Sequence, residues 1–234
     1  MNIKVVTTYN NKLWDEYAHR FFETYNWPFD VISHNEDKDM FDIIPNCKKF
    51  VDRNKNRKLP KHKNAFKFDA VRFCYKVYGY THSILNTDAD GLICMDADSV
   101  FLKPIDVNFV KKHLHKEDKM MSYFGRKRWY SECGFLYFNM HHPQVKNYAK
   151  EMQCMYDSDD IYKLQECHDS YVWDYVRKQF ESDYDVKNLN LTANLDMNHV
   201  QAYSVLAKYY DHCKGPYKLK GFSPQNKNVS GKTK

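Results

Sequence analysis

The stretch Gly91-Leu-Ile-Cys-Met-Asp-Ala-Asp-Ser-Val-Phe-Leu-Lys-Pro-Ile105 constrains the fold more than any other part of the chain. Leu92 to Met95 is a short apolar run without polar alternation, the pattern of a central strand covered on both faces. A buried helix shares that pattern. Gly91 precedes the run, and Pro104 soon after blocks simple continuation. Asp96 and Asp98 follow the run at once. In open α/β sheets the C-terminal strand edge is where ligands bind. Two neighbouring carboxylates repel unless a cation or proton lies between them. Mg²⁺ and Mn²⁺ accept oxygen ligands and are often shared with substrate phosphates. A D-x-D is also a common solvated turn, so its meaning depends on the rest of the chain.

The flanking sequence predicts an α/β domain. Ile3 to Thr8 reads as a first strand, with Asn10 or Asn11 capping the helix that follows. Trp14, Tyr17, Ala18, Phe21, Phe22 and Tyr25 recur at helical spacing, and Pro28 marks the stop. Phe29 to Ser33 is a second strand, so the chain opens β-α-β and implies a parallel sheet. Residues 35–63 read as irregular, with one short helix near Cys47 to Arg53. A strong helix is expected from Ala65 to Tyr78, with Phe66, Ala70, Phe73, Cys74 and Val77 buried. Later strands are expected at Met120 to Phe124, Gly134 to Met140 and Val186 to Leu191. Helices are expected from Asp106, from Pro143 to about Met155, and from Asp169 through Phe180. The sequence reads as a single domain over residues 1–222, followed by a polar, basic and flexible tail over 223–234.

Several function classes are disfavoured by what is missing. The chain has only seven glycines, and no G-x-G-x-x-G or Walker loop can be drawn from them. There is no G-x-S-x-G elbow and no H-E-x-x-H. The seven cysteines are odd in number and none is spaced C-x-x-C, which fits reduced thiols in a cytoplasmic protein. No secretory signal and no transmembrane stretch are visible. The formal charge of +6 is concentrated: residues 48–67 hold nine Lys/Arg against Asp52 alone. Such a basic run attracts phosphates or a polyanion, and is otherwise a solvated loop. Nucleic acid is disfavoured as a partner, because no recognised binding signature accompanies it.

The second chemical cluster is His212-Cys-Lys-Gly-Pro-Tyr-Lys218. With a metal pyrophosphate as ligand it has three uses. A neutral imidazole ligates metal, Gly215 lets the backbone approach closely, and Lys218 supplies a point charge for phosphate. Met95-Asp-Ala-Asp98, Glu132-Cys-Gly-Phe-Leu-Tyr-Phe-Asn139 and His212-x-x-Gly215-x-x-Lys218 occur in an order that resembles the GT-A glycosyltransferases, especially those like glycosyltransferase family 8. The middle piece is similar to that family's G-[FVI]-h-h-h-N strand, where h is hydrophobic. The resemblance spans Ile3 to Lys218 and implies a GT-A-like (Rossmann-like), mostly parallel central sheet flanked by helices.

The resemblance further implies a nucleotide-sugar donor, most often a UDP-sugar, a Mn²⁺ or Mg²⁺ cofactor, and a glycan, lipid or protein acceptor. Asp96, Asp98 and His212 would hold the metal. Thr7, Thr8 and Tyr9 would meet the base, Asp96 and Ala97 the donor, and Gly215 and Lys218 the diphosphate. Arg72 would face the donor from the helix before the D-x-D strand, and Cys133-Gly134 would line the sugar pocket. Two departures stand out: His168-Asp-Ser170 replaces the family's D-Q-D, and Lys218-Leu-Lys replaces its K-P-W. A family-8-like reaction retains anomeric configuration without a protein base. An inverting one would need Asp169 or Glu132 as catalytic base, although Asp169 equally reads as a helix N-cap. Two rivals remain at this point: a haloacid-dehalogenase-type phosphotransferase with Asp96 as nucleophile, and a non-catalytic GT-A-like protein that binds sugar or nucleic acid.

Overall fold

The computed structural model describes residues 1–229. Strand β1 (Ile3–Tyr9) is followed by Asn10, whose side-chain oxygen accepts the Leu13 N–H at 2.8 Å and caps the first helical stretch. That stretch comprises α1 (Asn11–Leu13), a wider π turn at Trp14–Ala18, and α2 (His19–Thr24). Strand β2 (Asp30–Asn35) then lies parallel to β1, with Val5 opposite Val31. Where the sequence reads as irregular with one short helix, two helices form: α3 (Met40–Ile43) and α4 (Pro45–Asn54). Proline starts α4, and Cys47 and Phe50 are fully buried beneath it.

Helix α5 (Ala70–Asn86) starts later and runs longer than its periodicity predicts. Asp69 sets the start by accepting the Arg72 N–H at 3.2 Å, which leaves Phe66 outside the helix and 43% exposed. The helix leads to β3 (Gly91–Met95), which lies parallel to β1 on the side away from β2. After β3 come β4 (Ser99–Phe101), α6 (Val107–His113), β5 (Met121–Phe124) and β6 (Glu132–Asn139). Then follow α7 (Val145–Asp157), α8 (Asp169–Asp183), β7 (Leu189–Asn190), β8 (Tyr210–His212) and α9 (Tyr217–Lys220).

The main sheet has the order β2-β1-β3-β6-β5-β7, and within it β6 alone runs against the others. It is therefore mostly parallel, as the opening β-α-β implies. Leu92 and Cys94 of β3 enter one apolar cluster together with Val6, Leu136 and Phe138. Ile93 and Met95 enter the other, with Val5, Phe135 and Tyr137. Each central strand is thus buried on both faces, which explains the unbroken apolar run in the sequence. A second, two-stranded antiparallel ladder pairs β4 with β8 and sets Ser99 opposite His212.

The stretch read as a flexible tail is partly built in. Ser223 and Asn226 are buried, and the Ser223 N–H donates to Asp211 in β8. Asn226 donates to the carbonyl of Ala207 at 3.0 Å. Its polarity serves buried hydrogen bonds, which composition alone does not distinguish from solvation. Residues 230–234 lie outside the described residues.

His34 of β2 is buried and lies 3.0 Å from the Ser83 hydroxyl. Burial first, then the neighbouring His82, lowers its pKa to about 4. A cation disfavoured in the folded state costs stability as pH falls. In urea unfolding His34 should account for on the order of 2–3 kcal/mol of the stability lost between about pH 6.5 and about pH 4. His34→Gln should flatten that slope.

Candidate active site

The C-terminal edge of the sheet gathers the chemistry. Asp96 and Asp98 leave β3, and the register of Val6 with Cys94 brings Thr8 of β1 to the level of Asp96. Because β6 runs the other way, its first residues, Glu132, Cys133 and Gly134, lie at this same edge. The β4–β8 ladder delivers His212 from over a hundred residues further along. Ligand atoms of Asp96, Asp98 and His212 all lie within 4.8 Å of one another. The Nε2 atom of His212 is 3.1 Å from Asp98 Oδ1 and 3.5 Å from Asp96 Oδ2.

Gly134 creates the room for this arrangement. A Cβ there would overlap the His212 ring. On the other side of the ring, Nδ1 lies 2.8 Å from Glu132 Oε1. Burial opposes ionising Glu132, yet Lys214 and His212 hold its carboxyl well below the usual range. An ionised carboxylate only accepts, so Nδ1 carries the proton and Nε2 is aimed at the two aspartates. Lys214 takes the second Glu132 oxygen at 2.9 Å. A carboxylate behind a histidine in this way fixes the ring for metal ligation.

A divalent cation fits these residues. Asp98 Oδ1 is buried and accepts no well-formed hydrogen bond among the described residues, its nearest cation being His212 Nε2 at 3.1 Å. A buried carboxylate oxygen in that state would be satisfied by a metal cation. Two carboxylates and an imidazole suit Mn²⁺ well, because it takes oxygen ligands and is also a transition metal. Asp98 keeps 3% of its side-chain exposure and Asp96 keeps 26%, so Asp96 is the ligand that faces outward. As the protein stands, positive charge already balances the pair. Lys218 lies 2.7 Å from Asp98, and Lys76 lies 2.5 Å from Asp96. Burial works against a charge on His212, but Asp98, Asp96 and Glu132 outweigh it and raise the imidazole pKa well above its ordinary value.

Lys76 is the residue that sequence reasoning missed. Its ammonium lies 2.8 Å from Asp169 and 3.2 Å from the Cys133 sulfur, as well as reaching Asp96. Arg72 does not come to this centre: it is exposed, with its guanidinium 5.7 Å from the Phe73 ring. The two residues share one helix face, and Lys76 sits one turn closer to the strand end. Asp169 is the first residue of α8, while His168 occupies the cap position. Burial would raise the Asp169 pKa, but Lys76 and His168 hold it well below the usual range.

The remaining expected residues surround this centre. Ala97 is buried against Tyr17 and Ala18 of the π turn. Gly215 has φ +56° in the loop between β8 and α9, a left-handed conformation that favours glycine. Helix α9, which follows the loop, is anchored where Arg20 donates to the Lys218 carbonyl at 2.7 Å. Thr7 and Thr8 are buried in β1, whereas Tyr9 meets Trp14 at 5.2 Å and Phe22 at 5.4 Å between ring centroids. A cavity of about 560 Å³ near Asp90, His115 and His141 lies at the opposite edge of the sheet and is no part of this site.

No protein-family model matches the chain, and no curated protein matches it. Solved structures do. One is a glycosyltransferase involved in the glycosylation of the major capsid of PBCV-1, with a TM-score of 0.50 at 10% identity, over 94% of this chain and 98% of that one. Another is mouse xyloside xylosyltransferase 1 in its apo form, with a TM-score of 0.44 at 9% identity, over 82% and 85%. The fold is of the GT-A type, with Asp96-Ala-Asp98 at a strand end.

Two outcomes follow. Lys76→Met leaves Asp96 and Asp169 without their shared cation and should cost roughly 3–5 kcal/mol in denaturant unfolding, whereas Arg72→Met should stay within about 0.5 kcal/mol. In calorimetric titration with Mn²⁺, Gly134→Ala and Glu132→Ala should each bind at least about tenfold more weakly than the parent, with circular dichroism unchanged.

Proposed function

We propose that this chain is a metal-dependent glycosyltransferase that moves a sugar from a nucleotide-sugar donor, a UDP-sugar, to a glycan, lipid or protein acceptor with retention of configuration. The observation that carries this reading is the convergence of Asp96, Asp98 and His212 at the C-terminal edge of a GT-A-type sheet. Asp96, Asp98 and His212 would hold Mn²⁺, or Mg²⁺ in its place. The ion would supply positive charge where the departing nucleoside diphosphate gathers negative charge. Lys218 would turn from Asp98 to the diphosphate, and the Gly215 backbone would admit the phosphates closely. Thr7, Thr8 and Tyr9 would border the base, with the exposed Trp14 ring beside Tyr9 as a stacking face. Ala97, Cys133 and Gly134 would border the sugar.

Retention is favoured by the state of the two candidate bases. Glu132 is engaged by His212 and Lys214, and Asp169 by Lys76. Both carboxyls are held well below their usual range, which makes each a weak base. Lys76 and Asp169 are better suited to orienting the sugar than to abstracting a proton. A phosphotransferase with Asp96 as nucleophile is disfavoured, because a full β-α-β precedes the D-x-D and His212 converges on it. All seven cysteines are free and six are buried, which supports a reducing, cytoplasmic setting. No helix among the described residues is long and apolar enough to cross a membrane.

The test is release of nucleoside diphosphate from a panel of nucleotide sugars, with and without Mn²⁺. At least one UDP-sugar should be cleaved, and chelation should stop the reaction. Asp98→Ala should lower turnover by about 10³-fold. Turnover unchanged in Asp98→Ala removes the metal assignment, and a panel in which no donor binds or turns over removes the glycosyltransferase reading. Product NMR should show the donor's anomeric configuration.

A further inference from the structure

The metal-ligand centre is acidic, yet the rim beside it is basic. Helix α5 runs from the C-terminal edge of the sheet back toward the start of β3, because Lys76 reaches Asp96 while Asn86 leads directly to Gly91. Residues before Lys76 therefore extend past the strand ends. Arg72 is one turn out, about 6 Å along the helix axis, and the 55–69 segment lies beyond it. That segment is tied to the edge rather than hanging free. Lys67 pairs with Glu166 at 2.7 Å, and the Cys167 N–H donates to the Lys67 carbonyl at 2.7 Å, next to His168 and Asp169.

Within the basic run, Lys48 and Lys55 are balanced by Asp52, Arg53 by Asp159, and Lys67 by Glu166. Arg57, Lys58, Lys61, Lys63 and Arg72 are exposed, and none of them has a carboxylate within ion-pair distance among the described residues. Arg57 lies 3.6 Å from the centroid of the Tyr162 ring. Arg57, Arg72, Tyr75, Tyr162 and Phe68 line a cleft of about 300 Å³, in which Asp69 is the acidic member. Unpaired cations with aromatic faces suit an anionic ligand that also presents apolar ring surfaces. In the proposed function the donor's phosphates meet Lys218 and the cation that Asp96, Asp98 and His212 would hold. A rim placed outside that centre is free to meet a second substrate.

We propose that this rim binds the acceptor, and that the acceptor is an anionic saccharide, one bearing phosphate or carboxylate groups. The proposal rests on the glycosyltransferase reading and supplies the substrate class that reading leaves open. Loose, exposed cations give steering and salt-sensitive affinity rather than a rigid pocket.

The experiment measures binding of a galacturonic acid hexamer, a phosphorylated mannopentaose, neutral maltohexaose and single-stranded DNA of matched charge, by calorimetry at two salt concentrations. The parent protein should bind one of the anionic saccharides at least about tenfold tighter than maltohexaose, and should lose that preference at high salt. Whichever of the two binds identifies the anionic group. The exposed-residue variant Arg57→Gln/Lys58→Gln/Lys61→Gln/Lys63→Gln should weaken that binding about tenfold and leave binding of Mn²⁺ with UDP unchanged. Equal affinity for neutral and anionic saccharides, or an unaffected variant, overturns the proposal. Tighter binding of DNA than of either saccharide overturns it in favour of a nucleic-acid surface. Loss of Mn²⁺–UDP binding in the variant overturns it in favour of a donor contact. Failure of the parent to bind Mn²⁺ with UDP counts against the glycosyltransferase reading, whatever the saccharides do.

Discussion

The salt bridges from Lys76 to Asp96 and Asp169 tie three elements together: α5, the end of β3 and the start of α8. Removing charges from water is expensive, so such a cluster persists only when each charge meets its opposite. The same rule extends outward. Asp98 meets His212 and Lys218, and Glu132 meets His212 and Lys214. Four carboxylates and four cations alternate along the sheet edge. The chain can assemble this much negative charge only because β8 and the loop after it arrive with compensating charge. Ligand binding would then exchange partners rather than create charge, with a cation taking the aspartates and phosphates taking Lys218.

Apolar periodicity announces the scaffold well. The run Leu92 to Met95 is the buried central strand it resembles, and Asp96 and Asp98 leave it at the ligand-binding edge. The opening β-α-β is present, and Gly134 stands in β6 with His212 against it. These features are readable because each depends on local pattern: burial on two faces, or a missing side chain where another group must fit.

Register is what local pattern does not carry. A strand advances about 3.3 Å per residue and a helix about 1.5 Å, so the five steps from Gly91 to Asp96 match about eleven residues of helix. Counting back from Asn86, the level of Asp96 falls near Lys76, whereas an end at Tyr78 misplaces the whole face. The helix is longer because Tyr80 and Ile84 are buried in the same cluster as Val77. The β4–β8 ladder is equally silent in sequence: Tyr210–His212 is short, and its partner Ser99–Phe101 lies far upstream. Ser223 and Asn226 look solvated by composition, yet they satisfy buried groups of β8, Asn226 by donating to Asp211.

Because β8 pairs with β4 across more than a hundred residues, the order of synthesis matters to this centre. Translation proceeds at about 5–20 residues per second, so His212 leaves the ribosome on the order of ten seconds after Asp98. By then the residues of β1, β2, β3 and α5 have been made, Lys76, the native partner of Asp96, among them. Until then Asp98 lacks the His212 and Lys218 partners that it has in the complete chain. Pairing of β8 with β4 brings His212 to that carboxylate, and Lys218, six residues further on, adds the second cation, so the end of the described chain completes the site.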